Sequence, residues 1–113
     1  MRSLMLVFTE PVAGKEGEFD AWYEHTHLPE LLALPGFLAA QRWSRSAAGA
    51  AGLPGSPHSN LAVYELDGDG EKALASMMDA HASGVLHMSD ALDAASVSLW
   101  LFNEHGARQV AAP

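Results

Sequence analysis

The chain contains no cysteine, and this absence excludes several kinds of site. Disulfides, thiolate nucleophiles and the usual cysteine-ligated zinc centres are not available to it. Positive charge is also scarce, since six Lys and Arg stand against 14 Asp and Glu, which gives a net charge of −8 at pH 7. Nucleic acids and anionic membrane surfaces are bound through a basic face, so neither is an expected partner.

Long apolar runs are missing as well. The longest one falls far short of the roughly 20 residues that cross a bilayer. Residues 1–11 carry an acidic residue and a proline behind a short apolar run, unlike a secretory signal. We therefore expect a cytoplasmic protein without a membrane partner. Its 49% hydrophobic and 18% charged residues predict a single globular domain over residues 1–113.

Strand-like and helix-like segments alternate along the chain in the order βαββαβ. Short apolar runs predict strands at residues 4–9, 37–45, 60–66 and 97–102. Helical periodicity predicts a helix at residues 15–27, a short turn at 29–34 and a second helix at 71–82. Residues 46–59, rich in Ala, Gly, Pro and Ser, are predicted to be a flexible loop, and residues 107–113 a tail.

This order predicts an α+β, ferredoxin-like fold: a four-stranded antiparallel sheet with both helices on one face. Strict alternation along the second strand puts Phe37, Ala39 and Trp43 on one face and Arg42 on the other. The first and last strands are apolar on both faces, so the face without helices also needs a cover. An identical sheet is the economical cover, which predicts a homodimer of the dimeric α+β barrel type.

The stretch WYEHTHLP, residues 22–29, concentrates the groups that can do chemistry. On a helix, Trp22 and Tyr23 share the aromatic face and His27 lies at its edge, whereas His25 points away. Pro29 lacks an amide hydrogen and disfavours helical geometry before it, so we expect the helix to end just past His27.

Tyr23 and His27 are the predicted catalytic pair. They are four residues apart and therefore neighbours on a helix surface. A phenol and an imidazole so placed can move a substrate proton or polarise a carbonyl near neutral pH. Residues of other elements complete the predicted substrate-binding set, which comprises Trp22, Arg42, Phe8, Tyr64 and His81.

Structural explanations of the same residues remain open. His27 can cap the carbonyls near Pro29, His81 can be a core histidine, and Arg42 can pair with a carboxylate across the sheet. His25 and His27 lie about 200° apart on a helix and cannot grip one ion, so we predict no metal site.

Residues 19–43, FDAWYEHTHLPELLALPGFLAAQRW, together with the later YELDGDG and SVSLWLF, resemble the EthD-like family of the dimeric α+β barrel superfamily. The resemblance implies a ferredoxin-like fold, a homodimer with packed sheets and a pocket between sheet and helices. The family's Tyr-x-x-x-His-x-Pro pattern falls on Tyr23, His27 and Pro29. Haem-binding relatives use a histidine that has no match here, so no cofactor is expected.

Members and relatives of that family include cofactor-independent monooxygenases, polyketide cyclases, lactone isomerases and small lyases, and many have no assigned activity. The first hypothesis is accordingly a cofactor-independent enzyme that performs His-mediated acid/base chemistry on an apolar or aromatic small molecule. It would be of the isomerase, cyclase, lyase or monooxygenase type. The alternative is a non-catalytic dimer that binds a small ligand or assists a pathway. A third, weaker hypothesis is a haem- or oxygen-using oxidase.

Overall fold

The computed structural model describes residues 2–113, in which four strands and three helices are separated by turns and loops. The strands are β1 (Ser3–Thr9), β2 (Phe37–Ser44), β3 (Asn60–Leu66) and β4 (Ser98–Asn103). The helices are α1 (Glu16–Trp22), α2 (Leu28–Leu32) and α3 (Glu71–Ala82). A π turn, Tyr23–His27, joins α1 to α2, and a 3-10 turn, Ala94–Ser96, precedes β4.

The strands form one antiparallel sheet in the order β2-β3-β1-β4. This arrangement confirms the predicted ferredoxin-like α+β fold, with β1 and β3 in the centre. On β1, the inward residues Ser3, Met5, Val7 and Thr9 are buried beneath the helices. Within residues 2–113 there is no helix with the length and apolar character that a membrane crossing requires.

The opposite face of the sheet is open and apolar. Leu4, Trp43, Trp100 and Phe102 on this face are between 37% and 56% exposed. Alternation along β1 therefore separates one apolar set that the helices bury from a second set that the helices do not cover, of which Phe8 meets the His58 ring at 5.6 Å. Large side chains exposed together in this way are typical of a surface that contacts another molecule.

A bulge in β2 changes which residues share a face. Phe37 pairs with Leu66 and Ala39 pairs with Glu65, so Leu38 is an extra residue between them. The bulge turns Phe37 to the inner face, where it is buried and packs edge-on against Tyr64 with ring centroids 5.7 Å apart. Our expectation from strict alternation was wrong at Phe37 because a bulge breaks the period of two.

The helix predicted to end before Pro29 continues through it. The backbone of Trp22, His27 and Leu28 stays in the right-handed helical region, and α2 begins directly after the π turn. The Leu28 amide donates to the Tyr23 carbonyl five residues earlier, so this turn holds one residue more than an α turn. Proline crowds the carbonyl four residues before it, and the wider turn absorbs that crowding without a break.

The inward face of α3 differs from the stripe of Leu74, Met77, Met78 and His81 that helical periodicity predicts. Ala73 and Ala80 are buried and Met77 is half-buried, whereas Met78 and His81 are exposed. Small side chains let α3 approach the turn before β2, where a Cβ on Gly36 would lie 2.7 Å from the Ala73 backbone nitrogen. Met77 and Met78, which are larger, lie at the edge of the helix beside the cavity described below.

Candidate active site

A cavity of about 410 Å³ lies between the sheet, the π turn and α3. This volume is within the range of sites that hold small molecules. Its wall is formed by the inner face of β1, parts of β3 and β4, the helical segments α1, π turn, α2 and α3, and the loop that follows α3. The lining residues are Met5, Val7, Thr9, Trp22, Tyr23, His27, Leu31, Tyr64, Met77, Met78, His81, Leu86, Met88, Leu92, Ala94, Val97 and Leu99.

The π turn determines how His27 meets its aromatic neighbours. Trp22 and His27 are five residues apart, a separation that on an α-helix would turn their side chains about 140° away from each other. Here their rings stack, with centroids 4.6 Å apart and planes inclined by 26°. Tyr23 meets His27 edge-on at 5.0 Å. The extra residue in the turn therefore holds the imidazole against both rings.

The imidazole of His27 is neutral at pH 7. Burial lowers its pKa to about 4, and the nearby Glu30 carboxylate offsets only part of this effect. Nδ1 is buried and has no hydrogen-bond partner among residues 2–113, and the side chain makes no capping bond to α2. A neutral imidazole next to a cavity can accept a proton, so the arrangement suits a base better than an acid.

Three hydroxyls lie on the sheet side of the cavity. Tyr64 and Tyr23 are 0% and 2% exposed, and burial raises the pKa of each phenol. The Tyr64 hydroxyl and Thr9 Oγ1 are buried without a hydrogen-bond partner in the described part of the chain. Both tyrosines stay protonated and can therefore donate a hydrogen bond to a ligand.

Arg42 and Phe8 do not line this cavity, contrary to their predicted place in it. The Arg42 guanidinium bonds Asp20 Oδ1 at 2.7 Å and Glu24 Oε2 at 3.3 Å on the outer side of α1. Its carbon lies 4.9 Å from the centroid of the Tyr23 ring. Phe8 lies on the open face of the sheet because β1 alternates, and a direct contact between either residue and a ligand in this cavity is not expected.

The other predicted binding residues do reach the cavity. Trp22 and Tyr64 line it from the helical layer and from β3, and His81 lines it from α3. His81 is exposed, so it stands at the mouth and not in the core.

The loop that follows α3 closes one side of the cavity, a role that no sequence pattern indicates. Glu30 accepts a hydrogen bond from the His87 amide at 2.9 Å, and its carboxylate also contacts His87 Nδ1. This contact with His87 lowers the pKa of Glu30. Trp22 Nε1 donates to the His87 carbonyl at 2.6 Å. The contacts of Glu30 and Trp22 with His87, called the latch below, hold the flanking residues Leu86 and Met88 over the cavity.

Removal of the Glu30 carboxylate should loosen the latch. We expect Glu30→Ala to speed amide hydrogen exchange at His87 by roughly tenfold or more, because hydrogen bonds to charged groups are worth about 1.5–3 kcal/mol. Exchange followed by NMR, residue by residue, measures this. Glu24→Ala is the matched control, since Glu24 binds Arg42 and not the loop. Equal exchange at His87 in both variants would mean that Glu30 does not hold the loop.

Residues 2–113 contain no cluster of three His, Asp or Glu side chains with suitable positions for a metal ion. A second depression, of about 610 Å³, lies beside the loop of residues 46–59. None of the buried polar atoms that lack partners in the described chain borders it, so we place the candidate site in the cavity of His27.

Comparisons with protein-family models and with curated proteins give no significant match. Three solved structures share the fold. A candidate monooxygenase of Shewanella loihica PV-4 is 17% identical, with 94% of this chain and 96% of that chain covered and a TM-score of 0.55. An ethyl tert-butyl ether (EthD) family protein of Bacillus halodurans C-125 is 18% identical, with 93% and 99% covered and a TM-score of 0.52.

The third structure is an EthD-like protein of Ralstonia eutropha JMP134, which is 17% identical, with 88% of this chain and 89% of that chain covered and a TM-score of 0.60. Two of these three similar folds carry the EthD name, which agrees with the resemblance of residues 19–43. At such identities the likeness establishes a shared fold, and the chemistry has to be argued from the cavity itself.

Proposed function

We propose that this protein is a small enzyme that moves a proton on an apolar, carbonyl-bearing molecule held in the His27 cavity. His27 acts as the base, and Tyr23 donates a hydrogen bond to the oxygen on which negative charge develops. The remaining lining, mostly Met, Leu and Val, holds the apolar body of the substrate. No cofactor has a part in this proposal.

The reaction begins when the neutral imidazole takes a proton from a carbon next to the carbonyl group. The electron pair of that bond forms a carbon–carbon double bond, and the carbonyl π pair moves to the oxygen, which is then the enolate oxygen held by the Tyr23 hydroxyl. The imidazolium that forms is buried, and the Glu30 carboxylate favours its charge. Return of the proton to another position completes an isomerisation, whereas attack by the enolate or loss of a leaving group gives a cyclase or a lyase.

One observation carries the proposal: a neutral imidazole, whose Nδ1 has no partner among residues 2–113, and two protonated phenols border the same apolar cavity. Its test is deuterium incorporation. Apolar aryl ketones such as phenylacetone and tetralone are incubated in D₂O with the protein, and loss of the α-proton signal is followed by NMR. We expect exchange well above that in buffer or with heat-denatured protein.

A non-catalytic ligand-binding protein is the competing function, since the same cavity would bind an apolar molecule without changing it. The experiment separates the two. Ketones that bind, as measured by chemical-shift changes of cavity residues, but exchange no faster than in buffer would support the binding protein and contradict the enzyme. One neighbour by fold is a candidate monooxygenase, and removal of a proton is also a first step by which a substrate can be made reactive toward oxygen.

We further propose that the protein is a homodimer in which the open faces of two sheets pack together. Support comes from the exposed aromatic and aliphatic side chains on that face, among them Trp43, Trp100 and Phe102. A two-fold interface presents the same patch from both subunits, so an apolar face is complementary to itself.

Truncation of Trp100 should weaken this dimer. Buried tryptophans are frequent hot spots, and a loss of about 2 kcal/mol raises the dissociation constant of the dimer roughly 30-fold. Sedimentation over a concentration series compares Trp100→Ala with Leu53→Ala. Leu53 is equally apolar and 70% exposed but lies in the loop of residues 46–59, so its variant should dissociate like the wild type. A wild-type protein that sediments as a monomer at micromolar concentration would contradict the dimer.

A further inference from the structure

We infer that the hydroxyls of Thr9, Tyr23 and Tyr64 form a binding site for one negatively charged oxygen, so that the preferred ligand is an apolar ring system with an enol or phenol oxygen held as its anion. This inference rests on the function proposed above, because it assigns the chemical class of the molecule in the same cavity. It also gives Arg42, which lies outside the cavity, a role in setting the charge preference.

The three hydroxyls converge from three separate elements. Thr9 ends β1, Tyr64 lies within β3 and Tyr23 opens the π turn. Burial raises the pKa of Tyr23, and the neighbouring Tyr64 and Thr9 hydroxyls oppose that effect, as expected for groups at one end of a cavity. The fold thus collects hydroxyl groups at a place where most of the surrounding side chains are apolar.

Two of these groups are left without a partner. The Tyr64 hydroxyl and Thr9 Oγ1 are buried and make no hydrogen bond of good geometry within residues 2–113, although both are near enough to the Tyr23 hydroxyl to influence its pKa. A buried polar group without a partner destabilises a folded protein, so such groups are rare unless something else binds them. Both border the cavity, where an oxygen atom of a ligand can accept their hydrogen bonds.

The Arg42 cation favours a negative charge on that oxygen. The Arg42 guanidinium lies against the Tyr23 ring, and its charge acts to lower the pKa of both tyrosines. Its partners Asp20 and Glu24 have side chains that are 64% and 55% exposed, where water and salt screen their charge. None of the described residues that line the cavity carries a carboxylate. An anion in the cavity therefore faces hydroxyl donors and the Arg42 cation, which have to outweigh the desolvation that raises both tyrosine pKa values and the Glu30 carboxylate close to His27.

The base and the oxygen site are adjacent. The rings of His27 and Tyr23 meet nearly at right angles with centroids 5.0 Å apart, so the base lies next to the residue that carries one of the three hydroxyls. This placement suits an enol or phenol, in which the acidic proton and the charged oxygen are close together. It does not suit a simple hydrocarbon, which would leave all three hydroxyls without a partner.

The test uses para-nitrophenol, whose phenolate absorbs visible light and whose pKa in water is near neutrality. Absorbance is measured against pH in the presence of saturating wild-type protein. We expect the bound probe to lose its proton to the buffer at lower pH than the free probe, with the phenolate bound at least roughly tenfold more tightly than the phenol. The ether para-nitroanisole, which cannot ionise, is the probe without charge.

Tyr64→Phe and Thr9→Val remove one hydroxyl each and keep the shape of the side chain. Each should weaken phenolate binding roughly tenfold and leave para-nitroanisole binding unchanged. Ser3→Ala is the matched control, because the Ser3 hydroxyl is also buried and without a partner in the described chain but does not line this cavity. Tyr64→Phe should melt at the same or a higher temperature than the wild type, since it loses a partnerless hydroxyl.

Three results would overturn the inference: a bound probe that ionises at the same or higher pH than in water, no binding up to the solubility of the probe, or equal phenolate binding by Tyr64→Phe and Ser3→Ala. A shift in the pKa of the probe that is lost in His27→Ala but kept in the hydroxyl variants would mean that His27, and not the hydroxyls, binds the charged oxygen. That result would also contradict the inference. These readouts need no turnover. Failure of proton exchange with intact phenolate binding would reject the proposed enzyme and leave this site standing.

Discussion

Substitution of His27 by alanine should slow α-proton exchange on an apolar ketone by roughly 10²- to 10⁴-fold, the usual contribution of a positioned acid or base. The reason is that His27 borders the cavity and is already neutral at pH 7, so its imidazole can accept the substrate proton without first losing one. Tyr23 and Tyr64 remain in the variant, so ligand binding should change far less than the rate. The measurement is the NMR exchange rate at saturating ketone.

His25→Ala is the matched control. His25 lies two residues away in the same π turn but is exposed and is not among the residues that line the cavity. Its variant should exchange protons at the wild-type rate. Free imidazole added to His27→Ala should restore part of the lost rate, because the truncation leaves space beside Trp22. An unchanged rate in folded His27→Ala would remove His27 from the mechanism.

The stability of the protein should depend on His27 as the pH falls. In the unfolded chain this histidine has a pKa near 6.5, whereas in the folded protein burial lowers it to about 4. Below pH 6.5 the unfolded chain therefore gains a proton that the folded protein does not take up. The contribution is fully present above pH 6.5 and is lost progressively between pH 6.5 and about 4.

A tenfold change in proton affinity is worth about 1.4 kcal/mol, so His27 should account for a loss of roughly 3 kcal/mol over that interval. Chemical unfolding of wild type and His27→Ala at several pH values, at one protein concentration, measures it. Glu10 and Glu30 also have lowered pKa values, so the stability that their carboxylates contribute is lost at still lower pH in both proteins. A difference between the two proteins that stays constant from pH 7 to 4 would contradict the buried, neutral His27.

Short-range patterns were enough to predict the architecture. Apolar runs and helical periodicity depend on neighbouring residues, and they gave the βαββαβ order and the pairing of Tyr23 with His27. The same patterns failed where one residue is inserted. The bulge at Leu38 and the π turn at Tyr23–His27 both add a residue without a composition that announces it.

The cavity depends on contacts between residues far apart in the chain. Glu30 meets His87 across 57 positions, and Trp22 meets the same residue across 65. Nothing in residues 83–93 indicates that this loop would reach the π turn, because its sequence has no regular period. Alternation along β1 alone puts Thr9 on the same face as Met5 and Val7. It does not indicate which of the two faces the helices cover, so Thr9 could not be predicted as a site residue.

The sequence thus contains the fold and the acid–base pair, because secondary structure follows from local periodicity and Tyr23 and His27 lie on one helical turn. It does not contain the protonation state of His27, the outward position of Arg42 or the partnerless hydroxyls of Thr9 and Tyr64. These properties arise from burial and from the balance of charges around each group. Burial and the balance of charges both depend on several elements of the fold, which come together only in the folded chain.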